Sequence, residues 1–395
     1  MIVRCKRIYS ENGLVDGYLV IEDGKILAIE PKEKNLQADL DVKDDRIIPG
    51  IIDTHNHGTM GYTLINAAND VETEIRGYLK GAASQGVTAV FPTCETSIIN
   101  NVVQVAKSEV DGAKIMGIHS EGPYLNRTGE KGIETGYPDV DMDFVKKMVD
   151  DGEGLLKLVA LAPEIPGITE VIHYLAVNGV RSAYAHSNCN YQEALESFRE
   201  GISVSTHTAN VMSGIHHRNM GGLGACLLDE GLWCEVICDG LHVNDEMLEL
   251  MFKVKREDRF MMVSDNVPIA GAPIGRYDLK GFLVVNVDEK GFCLSDTGRL
   301  CGSTKPVIYG IGHLVEVLKM PIERVLRMAA LNPALCYNFA DKKGSLKVGK
   351  DADFVVIDDE YQVLKTYSEG RKIYDNKVDT DLFSQAFLDI CLIKQ

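Results

Sequence analysis

The stretch Arg46–Gly58, RIIPGIIDTHNHG, decides the fold. A run of aliphatic residues entered through Pro49 and Gly50 reads as a short buried strand, and it ends in Asp-Thr-His-Asn-His-Gly. Alternate residues of a strand point the same way, so His55 and His57 share a face. Two imidazoles aimed at one spot suggest a metal.

Outward from this stretch the same unit recurs. VTAVFPTCET, IMGIHSEGPY, LLKLVALAPE, RSAYAHSN, ISVSTHTAN, WCEVICDGLH and FMMVSDNVP are apolar runs with polar tips, which makes eight with the first. Between them lie segments such as DVETEIRGYLKGAASQG and ITEVIHYLAVNG, whose aliphatics recur at helical spacing and which stop at Gly86 and Gly179 as helix C-caps do. Eight strand–helix units predict an α/β fold, a TIM-type (β/α)8 barrel over residues 49–344. Residues 1–48 and 345–395 alternate apolar and polar residues around turns such as ENG and EDG, and are expected to pair into one small β-sandwich domain beside the barrel.

Barrel strands are polar where they emerge at the carboxyl-terminal face, so the chemistry is expected at the tips. In order these offer His55 and His57, Cys94 and Glu95, His119 and Glu121, Glu164, His186, His207, His242 and Asp265. Six of the ten histidines fall there, which points to one shared pocket.

Composition narrows the classes. A chain of 395 residues, 45% hydrophobic, can bury a large core. A formal charge of −17 without a basic stripe argues against nucleic acid and against an anionic membrane. No signal-like segment is visible in MIVRCKRIYSENG and no apolar run approaches spanning length, so a soluble, cytoplasmic protein is expected. The ten cysteines lack a repeated spacing and read as buried thiols.

PGIIDTHNHG, GIHSEGPYLN, LAPE, AHSNC, THTANVMSG, CDGLHVN, SDN and LCGST, in this order and in register with the predicted strands, carry a resemblance to the N-acetylglucosamine-6-phosphate deacetylase family of the amidohydrolase superfamily. The similarity runs from the first strands through GSLKVGKDADFVVID. A lone histidine at a strand tip is more often a core residue satisfied by hydrogen bonds. Glu121, His186 and His207 at nearby tips form a primary ligand set for zinc, iron or another divalent ion, and the resemblance assigns the same positions. Some relatives keep the pair matching His55 and His57 and hold a second ion, with Glu121 then bridging, so one or two ions per subunit are implied. Related hydantoinase-like enzymes use a carbamylated lysine at the fourth tip. Here that tip is LAPE, and Lys157 stands at the start of its run.

Asp265 faces the expected site from the eighth tip. Amide hydrolysis needs a group that takes a proton from water and returns it to the leaving amine, and this carboxylate suits the task. The resemblance further implies that Asn210 with the Val211 backbone, Arg218 and His242 surround a phosphate, with Arg218 reaching in from the neighbouring subunit of a homodimer. One departure is visible. Where the family has a histidine that contacts the sugar, EKGIETG carries Glu134, which can accept from hydroxyls but repels phosphate. The expected activity is hydrolysis of the acetamide of N-acetylglucosamine-6-phosphate, or of a close 6-phosphorylated N-acetylhexosamine. The alternatives are an amidohydrolase acting on another N-acyl amine, such as an N-acyl amino acid, and a barrel relative without catalysis.

Overall fold

A computed structural model describes residues 1–64, 70–126, 137–279, 283–298, 300 and 302–393. The opening stretch holds two strands. Arg46–Pro49 runs antiparallel to Phe354–Ile357 in a sheet made from both ends of the chain, whereas Ile51–Asn56 (β1) begins a parallel sheet. Gly50 is the joint between them. A Cβ there would lie 2.2 Å from the Thr88 hydroxyl oxygen, so only glycine lets the strands pass this closely.

Seven parallel strands follow β1: β2 Val87–Pro92, β3 Ile118–Glu121, β4 Leu156–Leu161, β5 Arg181–Tyr184, β6 Ile202–Ser205, β7 Trp233–Val236 and β8 Phe260–Met262. β1 pairs with β2, and β3 to β8 pair in sequence order. Parallel bridges at Thr93–His119 and Asn56–Asn266 link the two groups at both seams, so the strands curl round. Their residues are buried on both faces, as the near-continuous apolar runs require. Leu158 and Ala160 of β4 cluster with Ala183, Val204 and Met261, while Val159 and Leu161 pack on the other side with the helices.

The helices form where the periodicity predicts. Val71–Ser84 buries Ile75, Tyr78, Leu79 and Ala82, one face at i, i+3, i+4 and i+7, and Asp70 caps it by accepting from the Thr73 backbone N–H. Leu79→Ala would cost about 2–5 kcal/mol, the usual cost of truncating a fully buried leucine. Ile168–Val177 ends at Gly179 with φ +73°, the N–H of Val180 bonding Leu175 O and that of Gly179 bonding Ala176 O. This left-handed stop satisfies the last carbonyls and turns the chain into β5.

The sheet from the chain ends has the order Arg371–Asp375, Val363–Ser368, Phe354–Ile357, Arg46–Pro49, Ile2–Ser10, Gly13–Glu22, Lys25–Pro31, with Leu40–Asp41 beside Ile2–Ser10. Two features differ from the sequence expectation. Gly275–Asp278, Val284–Val287 and Cys293–Ser295 form an antiparallel insertion after β8. The helix Gln385–Cys391 packs on that insertion, burying Cys391 with Tyr277 and Val285, because its apolar face finds its partner there. Every cysteine among the described residues is buried, and among them no helix is long and apolar enough to cross a membrane.

Candidate active site

The parallel strands deliver their polar tips to one place. His55, the last residue but one of β1, is fully buried, His57 follows the strand, and Glu121 closes β3. His186, His207 and Asp265 lie just beyond β5, β6 and β8, each with positive φ (+44°, +28° and +49°). Such non-glycine residues cost of order 1–3 kcal/mol each and persist where their surroundings over-determine them. Here neighbouring backbone does so: Asp265 N–H donates to His55 O at 2.9 Å, and Asn126 N–H to His186 O at 3.0 Å.

The side chains form two groups that share Glu121. In the first, His55 Nε2 and His57 Nε2 are 3.2 Å apart, and Glu121 Oε2 lies 3.6 and 3.0 Å from them. In the second, His186 Nε2 and His207 Nε2 are 3.1 Å apart and each is 3.0 Å from Glu121 Oε1. Asp265 Oδ1 borders the first group, 3.4 and 3.5 Å from His55 and His57 Nε2. Four imidazole nitrogens crowded around one carboxylate, with too few protons to bond every pair, form donor sets that could hold a divalent cation.

Electrostatics agree with this. Burial works against ionisation of Glu121, but His55, His186 and His207 outweigh it and hold the carboxyl well below the usual range. Asp265 is lowered likewise, burial being overcome by His55 and His57. Burial disfavours a cationic His55, yet Asp265 and Glu121 raise its pKa well above the ordinary value. His119 is the contrast: burial, reinforced by His55, pushes it well below, and its Nδ1 pairs with Thr93 Oγ1 at 3.1 Å.

The remaining predicted residues divide. His242 is half-buried, its Nδ1 2.7 Å from Asp239 Oδ2. Burial opposes its charge, but Asp239 prevails and raises its pKa. Asn210 follows the β6 tip and donates to His207 O, while Val211, with φ +47°, is exposed. Arg218 stands exposed in a tight turn closed by His216 and Asn219, and its guanidinium has no partner among the described residues. Glu134 lies outside the described residues. Glu164 braces loops, accepting from Asn126 Nδ2, Ser187 Oγ and Asn188 N–H at 2.7–2.9 Å. Cys94 is buried with its thiol pushed up to about 12 by burial and Glu95. Lys157 is the second residue of β4, at the end away from the tips.

Three buried carboxylates were missed by tip reading. Asp53 ties β1 to the end of β8, accepting from Ser264 Oγ at 2.6 Å and Ser264 N–H at 3.2 Å. Asp239 holds His242, and Glu235 lies behind His55, 3.5 Å from its Nδ1. An acidic residue inside an apolar run was the available signal in each case.

Comparison with known proteins agrees with this geometry. Residues 46–373 match the model of the amidohydrolase family. N-acetylglucosamine-6-phosphate deacetylase of Vibrio furnissii is 31% identical over 366 residues, covering 90% of each chain. N-acetylgalactosamine-6-phosphate deacetylase of Escherichia coli O157:H7 is 30% identical over 381 residues, covering 94% of this chain and 98% of the relative. The crystal structure of N-acetylglucosamine-6-phosphate deacetylase from Pasteurella multocida superposes with a TM-score of 0.83 at 26% identity, covering 94% of this chain and 99% of that one. The chain belongs to the amidohydrolase family, a family of hydrolases, and within it to the N-acetylglucosamine-6-phosphate deacetylases.

Proposed function

We propose that this chain hydrolyses the acetamide of N-acetylglucosamine-6-phosphate, or of a close 6-phosphorylated N-acetylhexosamine, to acetate and the amino-sugar phosphate. The observation that carries the reading is the convergence of His55, His57, Glu121, His186, His207 and Asp265 at one end of the parallel strands. His55, His57 and Glu121 would hold one divalent ion, and Glu121, His186 and His207 another, zinc or iron suiting both. Bound there, such an ion supplies a water of lowered pKa and positive charge for the amide carbonyl. Asp265 takes the proton of the attacking water on its carboxylate and returns it to the amine nitrogen as the C–N bond breaks, which a poor leaving group requires. His242, held by Asp239, together with Asn210 and the Val211 backbone, receives the phosphate. Arg218 completes that grip from the partner subunit of a homodimer, a role supported by its exposed guanidinium, which has no partner among the described residues. Its planar fork matches phosphate oxygens in pairs.

The architecture behind this reading is a closed (β/α)8 barrel over residues 49–344, supported by bridges at both seams. A small β-sandwich from residues 1–48 and 345–395 stands beside it, supported by the shared burial of Val3, Leu19, Ile47, Phe354 and Tyr367. A cytoplasmic site of action suits a charged sugar phosphate, which does not cross membranes unaided. Neither an N-acyl amino acid substrate nor a non-catalytic role gains support, since the donor set is intact and the relatives are named for phosphorylated amino sugars.

The test is acetate release by metal-reconstituted protein from N-acetylglucosamine and N-acetylgalactosamine, each with and without 6-phosphate. Turnover confined to phosphorylated sugars is expected, and the epimer preference reports what Glu134 does. Equal rates with and without phosphate, or no acetate from any of the four, would overturn the reading.

A further inference from the structure

In the first ligand group, His55 has a support behind it. His55 presents Nε2 to Glu121 and Asp265, and its other nitrogen, Nδ1, is buried without a hydrogen-bond partner among the described residues. Glu235 Oε2 is buried and equally without one. These two orphaned atoms face each other at 3.5 Å. The second carboxylate oxygen, Oε1, accepts from Thr54 Oγ1 at 2.7 Å, so the residue before His55 ties Glu235 to β1. Leaving a buried donor or acceptor unmade costs about 1–3 kcal/mol per group, more for a charge. A shift of a few tenths of an ångström makes the missing bond, since N–H···O bonds span roughly 2.7–3.2 Å.

We infer that Glu235 is a positioning residue for the His55–His57–Glu121 half of the site. It accepts from Nδ1–H of His55, fixing the tautomer in which Nε2 turns its lone pair toward the site, and its negative charge makes that nitrogen a better ligand. Glu235 is not itself a ligand, because it meets the imidazole at Nδ1 while the two groups converge on Nε2. No such support stands behind His207, whose Nδ1 has no partner among the described residues. Among the described residues the Glu235 carboxylate meets His55 and Thr54 and none of the other proposed ligands, so its effect falls on one half. It explains why a fully buried carboxylate sits within the apolar run WCEVICDG, where an unpaired charge would destabilise the fold.

The inference rests on the reading that the first half holds a cation, and the experiment separates the two. Metal-free full-length chains, wild type, Glu235→Gln and Glu235→Asp, are titrated with Zn²⁺ by calorimetry. Two ions per wild-type chain are expected. Glu235→Gln keeps the shape and the Thr54 contact but loses the charge, and should weaken one ion about 10- to 100-fold while leaving the other unchanged. Glu235→Asp, which keeps the charge but withdraws it from Nδ1, should weaken the same ion less. In ¹⁵N-histidine-labelled, Zn²⁺-loaded protein the His55 Nδ1–H signal, assigned through its loss in His55→Gln, should change in both variants. Two ions with wild-type affinities in both variants would sink the inference alone. Equal weakening of both ions would also sink it, since that is what a merely structural glutamate gives. A single ion in the wild-type chain would sink the two-ion reading and this inference with it.

Discussion

Asp265→Asn is the sharpest perturbation of the proposed chemistry. Asp265 adopts φ +49°, a region asparagine tolerates well, and its backbone bonds, N–H to His55 O and O from Ser303 N–H at 2.9 Å, do not depend on the side chain. The variant should therefore keep the loop in place while removing the one group at the eighth tip able to accept a proton. A positioned acid–base group contributes about two to four orders of magnitude. The kcat for acetate release should fall by that factor, roughly 3–5 kcal/mol of barrier, with KM nearly unchanged because ground-state contacts survive. The carboxylate lies 3.4 Å from His55 Nε2 and 3.5 Å from His57 Nε2, so metal content is measured on the same samples by elemental analysis. Near-normal kcat in metal-replete Asp265→Asn would refute the proton-transfer role. Loss of the ion from the first half, with kcat restored at high metal concentration, would make Asp265 a ligand first.

Dialysis against a strong chelator should abolish turnover and a divalent ion should restore it; full activity in rigorously metal-free protein is the contrary result. His55→Ala with His57→Ala should remove one bound ion per chain by elemental analysis and leave the one at Glu121, His186 and His207. Arg218→Ala should raise KM for the 6-phosphorylated sugar about 10- to 100-fold, the worth of a lost charge-assisted hydrogen bond, with kcat little changed. At a sugar-phosphate concentration well below the KM of Arg218→Ala, mixing that variant with Asp265→Asn should raise turnover in hybrid dimers above that of either variant alone, and no rescue after verified subunit exchange would confine the arginine to its own subunit. Glu11 joins the first strands to the last: burial opposes its charge, but Lys347, Ser345 and Lys350 prevail and lower its pKa from 4.5 to about 2. A depressed carboxyl pKa stabilises the fold above 4.5 and loses that contribution as pH falls toward about 2. The Tm difference between wild type and Glu11→Gln should shrink across that window, and a pH-independent difference would deny the linkage.

The fold was legible because its units repeat. An apolar run, a polar tip and a helical stripe recur often enough that misplacing one would leave the pattern intact, and helices such as Ile168–Val177 end at the glycine that the sequence marks. The division of RIIPGIIDTHNHG into strands of two different sheets was harder to see, because Arg46–Pro49 finds its antiparallel partner more than 300 residues later, at Phe354–Ile357. The insertion after β8 and the helix Gln385–Cys391 were missed for a related reason. Each has an apolar face that the other helps to cover, and neither alone spells a domain.

The site was legible where chemistry and position coincide, and less so where a residue acts through another. His55, His57, Glu121, His186, His207 and Asp265 stand at tips, where a polar residue has no packing role to fill. Asp53, Glu235 and Asp239 instead lie in or against apolar runs, and were passed over as parts of the strands carrying them. Yet a carboxylate taken out of water costs several kcal/mol unless protein groups replace the lost hydration. Each therefore implies a buried donor close by: Ser264 for Asp53, His242 for Asp239, and Thr54 with His55 for Glu235. Acidic residues inside the apolar strands of such a curled parallel sheet thus point to what the tip residues lean on, and Glu235 points to His55, one of the two histidines with which the opening stretch ends.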